Sequence, residues 1–205
     1  MAEFGSSNLL RFVQGENRRL QEENDQLREE VTALRGYMDA LRDLHRVART
    51  ITVEDEVMPV LNQILYAALT VTDSSAGSLL LRDPETDELV FVLVHGGRQD
   101  VLQGYRLAKG AGVVGWAAAH KEPVIVNQPR QDRRFSSQVD EMFSFETQNL
   151  MALPLIARGR VLGVLEVLNK FSGEGYTGSD LDLLSLLGLV SAEVLAVMEA
   201  QSAEG

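Results

Sequence analysis

The chain has 205 residues, room for one ordinary globular domain and an appendage. Its zero cysteines exclude disulfides, thiolate metal sites, cysteine nucleophiles and thiol redox chemistry, and are consistent with a reducing compartment. A formal charge of -11, from 19 Lys+Arg against 30 Asp+Glu, opposes the phosphate neutralisation on which nucleic-acid binding rests.

The first residues, Met-Ala-Glu-Phe-Gly-Ser-Ser, have neither the basic stretch nor the apolar run of a signal peptide, and residues 1–9 read as a disordered N-terminus. No window approaches the roughly 18 uninterrupted apolar residues of a membrane span, so the expectation is a cytoplasmic protein without membrane insertion.

Residues 10–48 read as a dimerising coil. With Leu20, Leu27, Leu34 and Leu41 at position d, Leu10, Asn17, Asn24, Val31, Met38 and His45 fall at position a, and Val13 and Ala48 extend the d series. Alternating steps of three and four are the repeat of a left-handed supercoil. Asn at a is tolerated where two Asn side chains can bond across an in-register pair, so Asn17 and Asn24 select a two-stranded parallel coiled coil and hence a homodimer. Glu23 and Glu30 at g would meet Arg28 and Arg35 at the partner's e positions with opposite charge. The β-branched run Thr50–Val53 is a poor helix former and marks where the coil weakens.

A second unit spans 54–200. Val57, Val60, Leu61, Ile64, Leu65, Ala68 and Leu69 have the i, i+3, i+4 spacing of an amphipathic helix. Residues 77–82 and 89–94 flank the turn Asp83-Pro84-Glu85-Thr86-Asp87, as a strand pair would, and a third short strand is expected near Tyr105–Leu107. Residues 150–157 and 161–168 make a second pair around Arg158-Gly159-Arg160. Pro154 within it must sit at a bulge or face an unpaired side. The last helix runs from Gly178 to about Met198, with Thr177 as N-cap and Asp180 in the first turn. Its leucines and valines cover more than one face, enough for a sheet on one side and a partner on another.

The long stretch 108–148 holds the chemistry. Gly110, Gly112 and Gly115 let backbone come close at a helix start, whose free N–H groups favour an anion, although a tight turn needs the same glycines. Glu166 interrupts an apolar strand, so it faces either a polar pocket or solvent. Trp116 and Phe135 are candidates for stacking on a planar ligand or for the core. His45, His95 and His120 are widely separated, no Ser/His/Asp order is visible, and no metal cluster is present in the pattern; neither catalysis, a metal nor a cofactor is expected. The basic group Arg130, Arg133 and Arg134 encloses Asp132 and reads as a solvated loop.

This order of elements resembles a GAF domain over 54–200, carried by Gly112–Ala117, Asp132–Phe135, Val139–Glu141, Thr147–Leu150 with Pro154, and Gly163–Lys170 followed by Tyr176 and Asp180. The resemblance implies an α+β fold: a GAF-like antiparallel sheet flanked by helices, here behind the parallel coil. The final group is similar to the Asn-Lys…Phe…Asp-Glu signature of GAF domains in cyclic-nucleotide phosphodiesterases and adenylyl cyclases, with Asn169, Lys170, Tyr176 in place of Phe, Asp180, and Leu181 in place of Glu. There the Lys and Asp imply an internal salt bridge. Carried over position by position, the resemblance implies ligand contacts from the backbone of Val113 and Val114 and from Asp140, Thr147 and Glu166. Ser136 and Phe143 depart from the aromatic and the Thr that cyclic-nucleotide binders use. The function implied is a non-enzymatic sensor in signal transduction, binding a small anionic or nucleotide ligand and signalling through the dimer to a protein partner. A ligand-free scaffold acting by protein–protein interaction is the alternative.

Overall fold

The computed structural model describes residues 11–25, 27, 28, 31, 35, 38, 42, 57–96 and 102–202. The chain divides into two compact units, Met1–Asp39 and Ala40–Gly205.

In the first unit residues 11–25 are helical, as are 27, 28, 31, 35 and 38. The described seam residues Leu20, Leu27, Val31 and Met38 are all exposed, and so are Phe12 and Val13. Glu16 and Arg19 pair at 3.1 Å across one turn. Residues 1–9, Leu10, Glu30, Leu34, Leu41, His45, Ala48 and the run 50–53 lie outside the described residues.

The second unit is built around a six-stranded antiparallel sheet. Its helix α1 (Val57–Val71) starts with Pro59 in the first turn, where a missing N–H is harmless. It buries Val60, Leu61, Ile64, Leu65 and Ala68 and leaves Met58 and Tyr66 exposed, the one-sided pattern that the spacing predicts. Complete burial of Leu61 and Leu65 contributes about 1.5–3 kcal/mol each. The chain then forms β1 (Ser74–Arg82), β2 (Leu89–His95), the two-residue β3 (Arg106–Leu107), α2 (Gly112–His120), β4 (Val124–Val126), a 3-10 turn at Pro129–Gln131, α3 (Gln138–Phe143), β5 (Leu150–Ala157), β6 (Arg160–Lys170) and α4 (Gly178–Ser202). Strand order is β3-β2-β1-β6-β5-β4, so the long pair β1 and β6 lies at the centre.

Each face of the sheet carries its own layer. A Cβ on Gly77 would point into Leu65 and Leu69 of α1, so Ala76 and Ser78 face the other way. On β5, Leu153 lies under α4 so closely that a Cβ on Gly188 would sit 2.2 Å from its Cδ2, and a larger residue there would require the Leu153 side chain to shift. Thus α1 and α4 cover one face. Over the other lies α2, whose Val113, Val114 and Ala117 form a core with Leu80, Phe91, Leu150, Ala152 and Val164.

Pro154 keeps its register with Val164 of β6, but β4 pairs only as far as Ala152, leaving that side of β5 without a strand, and a register shift follows at Leu155/Ile156. At the start of α4, Thr177 and Asp180 cap each other's backbone: Thr177 N–H donates to Asp180 Oδ2 at 2.7 Å and Asp180 N–H to Thr177 Oγ1 at 3.3 Å. The helix runs four residues past Met198, to Ser202. Leu184, Leu187, Ala192 and Leu195 are buried, whereas Leu186, Leu189 and Val197 are 49 %, 65 % and 44 % exposed and form the second apolar face.

Candidate functional site

A cavity of about 130 Å³ lies between the sheet and the layer of α2 and α3. Its floor comes from alternation on β1 and β6. Because Gly163, Leu165 and Val167 occupy one face of β6, Val164, Glu166 and Leu168 take the other, and Glu166 lies opposite Ser78 of β1 and Ala152 of β5. Val113, Val114, Asp140, Thr147 and Glu166 all line the cavity, together with Ser78 and several aromatic side chains.

Glu166 is the polar centre of this floor. Its Oε2 accepts a hydrogen bond from Ser78 Oγ at 2.9 Å. The side chain is half-buried and lines the cavity. Burial pushes the carboxyl up to about 7; the Ser78 hydroxyl opposes this and the nearby negative charge of Asp140 adds to it. At neutral pH the group is therefore divided between a form that only accepts hydrogen bonds and one that also donates.

Asp140 and Thr147, the other two side chains expected as ligand contacts, line the cavity and bond each other. Asp140, buried on α3, accepts from Thr147 Oγ1 at 2.7 Å and from the Thr147 N–H at 3.0 Å, with a long contact of 3.5 Å to Arg130 Nη2. Ser144 turns the chain with φ 52 and the Phe145 N–H closes on the Asp140 carbonyl at 2.9 Å. These bonds tie α3 to the start of β5 and form one wall of the cavity. Phe143 packs edge-on against Tyr105 at 5.7 Å and fills space beside that wall.

The helix start is placed as its glycines suggest. Ala111, Gly112, Val113 and Val114 border the cavity, and Ala111 caps α2 without a side-chain bond. Gly110 and Gly115 are in contact; a Cβ on Gly115 would lie 2.5 Å from the Gly110 carbonyl carbon. The glycines thus serve close packing as well as access. Phe135 and Ser136 reach the cavity. Trp116 does not: it stacks on His120 with ring centroids 4.3 Å apart and lies under the Arg134 guanidinium at 4.6 Å.

Beyond the cavity, the residues of the signature form a closed knot. Lys170 Nζ meets Asp180 Oδ1 and Oδ2 at 2.9 and 2.8 Å. Asn169, at φ 56, accepts from the Gln148 N–H and donates to the Glu146 carbonyl, both at 2.8 Å. Asn149 receives the Lys170 N–H at 3.0 Å, and Tyr176 shares a 2.7 Å bond with Ser74. None of these four signature residues lines the cavity.

Ser78 was not legible as a site residue. Its signal is weak but present: in Ala76-Gly77-Ser78-Leu79-Leu80 the hydroxyl falls on the parity of Ala76 and Leu80, the face that Glu166 shares. Among the described residues no group of His, Cys, Asp or Glu is placed to hold a metal ion, and no helix is long and apolar enough to cross a membrane.

The GAF domain family model matches residues 57–196, and the chain belongs to that family, whose members are generally regulatory sensor domains. Among curated proteins, the chain is 35 % identical over 79 residues to the dual 3',5'-cyclic-AMP and -GMP phosphodiesterase 11A of Takifugu rubripes, covering 38 % of this chain and 9 % of that protein. It therefore spans a small part of that relative's length. Among solved structures, the GAF domain of a phosphoenolpyruvate-protein phosphotransferase from Coxiella burnetii superposes with a TM-score of 0.72 at 18 % identity, over 83 % of this chain and 98 % of that one. The free methionine-R-sulfoxide reductase of Neisseria meningitidis, in complex with its substrate, superposes at 0.65 with 19 % identity, over 80 % and 90 %. At these identities both comparisons concern the fold.

Proposed function

We propose that the domain is a non-enzymatic, cytoplasmic sensor whose cavity takes a small ligand with a planar polar edge, a nucleobase or cyclic nucleotide among them. The observation that carries this reading is Glu166: a carboxyl raised to about 7 on the floor of a largely apolar cavity, beside an uncapped helix start. Asp140 and Thr147 shape the wall, and Glu166 with the Val113 and Val114 backbone makes the polar contacts. The phosphodiesterase relative, a protein named for cyclic AMP and cyclic GMP, supports including those ligands. A cavity of about 130 Å³ is of the size that admits a single ring, so a whole nucleotide requires the wall to open.

The signal would pass through a homodimer. Exposed Leu186, Leu189 and Val197 on α4 and the exposed a and d residues of the N-terminal helix are the surfaces that a second copy would cover. Analytical ultracentrifugation at micromolar concentration tests the dimer; a monomer overturns that part.

The ligand reading is tested by a thermal-shift screen of cyclic nucleotides, nucleobases and small carboxylates against wild type and Glu166→Ala. A ligand at about 100 times its dissociation constant adds roughly 2.7 kcal/mol, and the variant should lose most of this. Stabilisation that survives in the variant places the ligand elsewhere. The small cavity also favours a second reading, a scaffold that binds protein partners with no ligand, which gains if no compound stabilises the wild type.

A further inference from the structure

A different face of α2 borders a second cleft, of about 300 Å³, enclosed by the β1–β2 hairpin and the β5–β6 turn. Arg82, Lys109, Lys121 and Arg160 line it, and among the described residues Asp87 is the one acid in its wall. Asp87 serves two cations, Arg82 and Lys109, the latter at 2.7 Å. Arg160 pairs with Glu199 of α4. Lys121 has no carboxylate partner among the described residues and donates to the Gly159 carbonyl at 2.7 Å. Four cations meet two carboxylates, an excess of two positive charges on a chain of net -11.

The cleft is also shaped. Gly110, Gly115, Ala118 and Ala119 keep its α2 side shallow-walled. Lys121 occupies the left-handed C-cap position of α2, φ 58, where glycine is the usual residue, and this turns its side chain toward the β5–β6 turn. Positive φ at Arg158 and Gly159 makes that turn tight.

We propose that this cleft binds a phosphate-bearing dianion or polyanion of the size of pyrophosphate. Lys109, 72 % exposed, can leave Asp87 for the anion while Arg82 still holds that carboxylate. Lys121 contributes a cation that needs no such exchange, and Arg160 a planar donor fork. The charge is concentrated in a concave site walled by protein, where it acts more strongly than on an open surface.

The test is an NMR amide titration of the full chain with pyrophosphate at constant ionic strength, with sodium chloride as the control. Saturable shifts are expected at residues 109–121 and 158–161, and the midpoint should weaken roughly tenfold or more in Lys109→Gln/Lys121→Gln. Lys109→Gln alone, at a highly exposed position, keeps the test readable should the double variant fold poorly. ADP titrated in parallel separates the sources of the anion: equal midpoints assign the diphosphate alone, and tighter ADP assigns a nucleotide. The proposal is overturned if these amides do not move saturably, if sodium chloride reproduces the shifts, or if the variants bind as the wild type does.

Discussion

On β6, Glu166 and the pair Asn169–Lys170 lie a few residues apart, and their surroundings differ in kind. Around Asn169 and Lys170 every polar group is answered: the ammonium by both oxygens of Asp180, the amide by two backbone groups, the carboxylate of Asp180 additionally by the cap of α4. Among the described residues Glu166 has one hydrogen-bond partner, Ser78, and it faces free space. A fully satisfied network rigidifies and specifies a fold, whereas a carboxyl left with spare capacity in a poorly solvated place costs stability and remains available for a ligand. The comparison thus separates the residues that hold the domain from the residue that gives its cavity a chemical preference.

Breaking the knot should have the largest effect. Asp180→Ala leaves Lys170 nearly buried without its anion and removes the carboxylate half of the reciprocal cap of α4, and should cost about 3–5 kcal/mol. Urea denaturation should show a lower midpoint at unchanged slope. A loss below about 1 kcal/mol would mean that the pair is solvated like an ordinary surface ion pair.

The cavity should respond in the opposite sense. The folded-state pKa of Glu166 is raised, so between its ordinary value of 4.5 and about 7 the folded state binds the extra proton and stability falls as pH rises through this window. Above it the full cost of the buried charge is present, at most about 3 kcal/mol. Glu166→Gln keeps an acceptor for Ser78 and removes the charge. It should stabilise the domain at pH 8, by up to that amount, and flatten the pH dependence of its melting temperature between pH 5 and 8. A variant with the slope of the wild type would place the titrating group elsewhere.

How far the sequence leads follows the same division. α1, both hairpins, Pro154 and the capped start of α4 were legible because spacing, turn residues and caps are local. The Lys170–Asp180 bridge was legible through the family resemblance, with its partners ten residues apart. What escaped needs three-dimensional placement. That Ser78 meets Glu166 depends on the register of two strands 88 residues apart in the chain. That Asp140 spends its oxygens on Thr147 depends on the left-handed turn at Ser144. The second cleft assembles Arg82, Lys109, Lys121 and Arg160 from separate elements, and no local pattern connects them.

Thr147 tests whether the cavity wall belongs with the knot or with the site. Thr147→Val keeps the shape and the N–H that bonds Asp140, but removes the hydroxyl at 2.7 Å and leaves Asp140 one donor short. The cost should be about 1–2 kcal/mol, with faster amide exchange around Phe145 and Thr147. If ligand binding weakens while that exchange is unchanged, Thr147 touches the ligand directly and the wall assignment is wrong.

The smallest effect is expected at Tyr176, which stands where the related signature has Phe. Its hydroxyl ends a buried chain in which Ser74 bonds both Tyr176 and Thr72 at 2.7 Å, and Thr72 in turn donates to the Ala68 carbonyl. Tyr176→Phe removes one link but orphans nothing, because Ser74 keeps Thr72 as a partner. The ring remains near Lys170, 5.9 Å from its ammonium, and the backbone of residue 176 stays clasped by Asn127. The loss should therefore be no more than about 1 kcal/mol, the net worth of one buried hydrogen bond without a stranded group. Burial holds the phenol well above its ordinary range, so the hydroxyl stays neutral and the cost should not vary between pH 6 and 9. A loss of 2 kcal/mol or more, or one that changes across that interval, would show that the Ser74–Tyr176 link carries the attachment of β1 to the knot, and that the knot's stability is concentrated there instead of in Lys170 and Asp180.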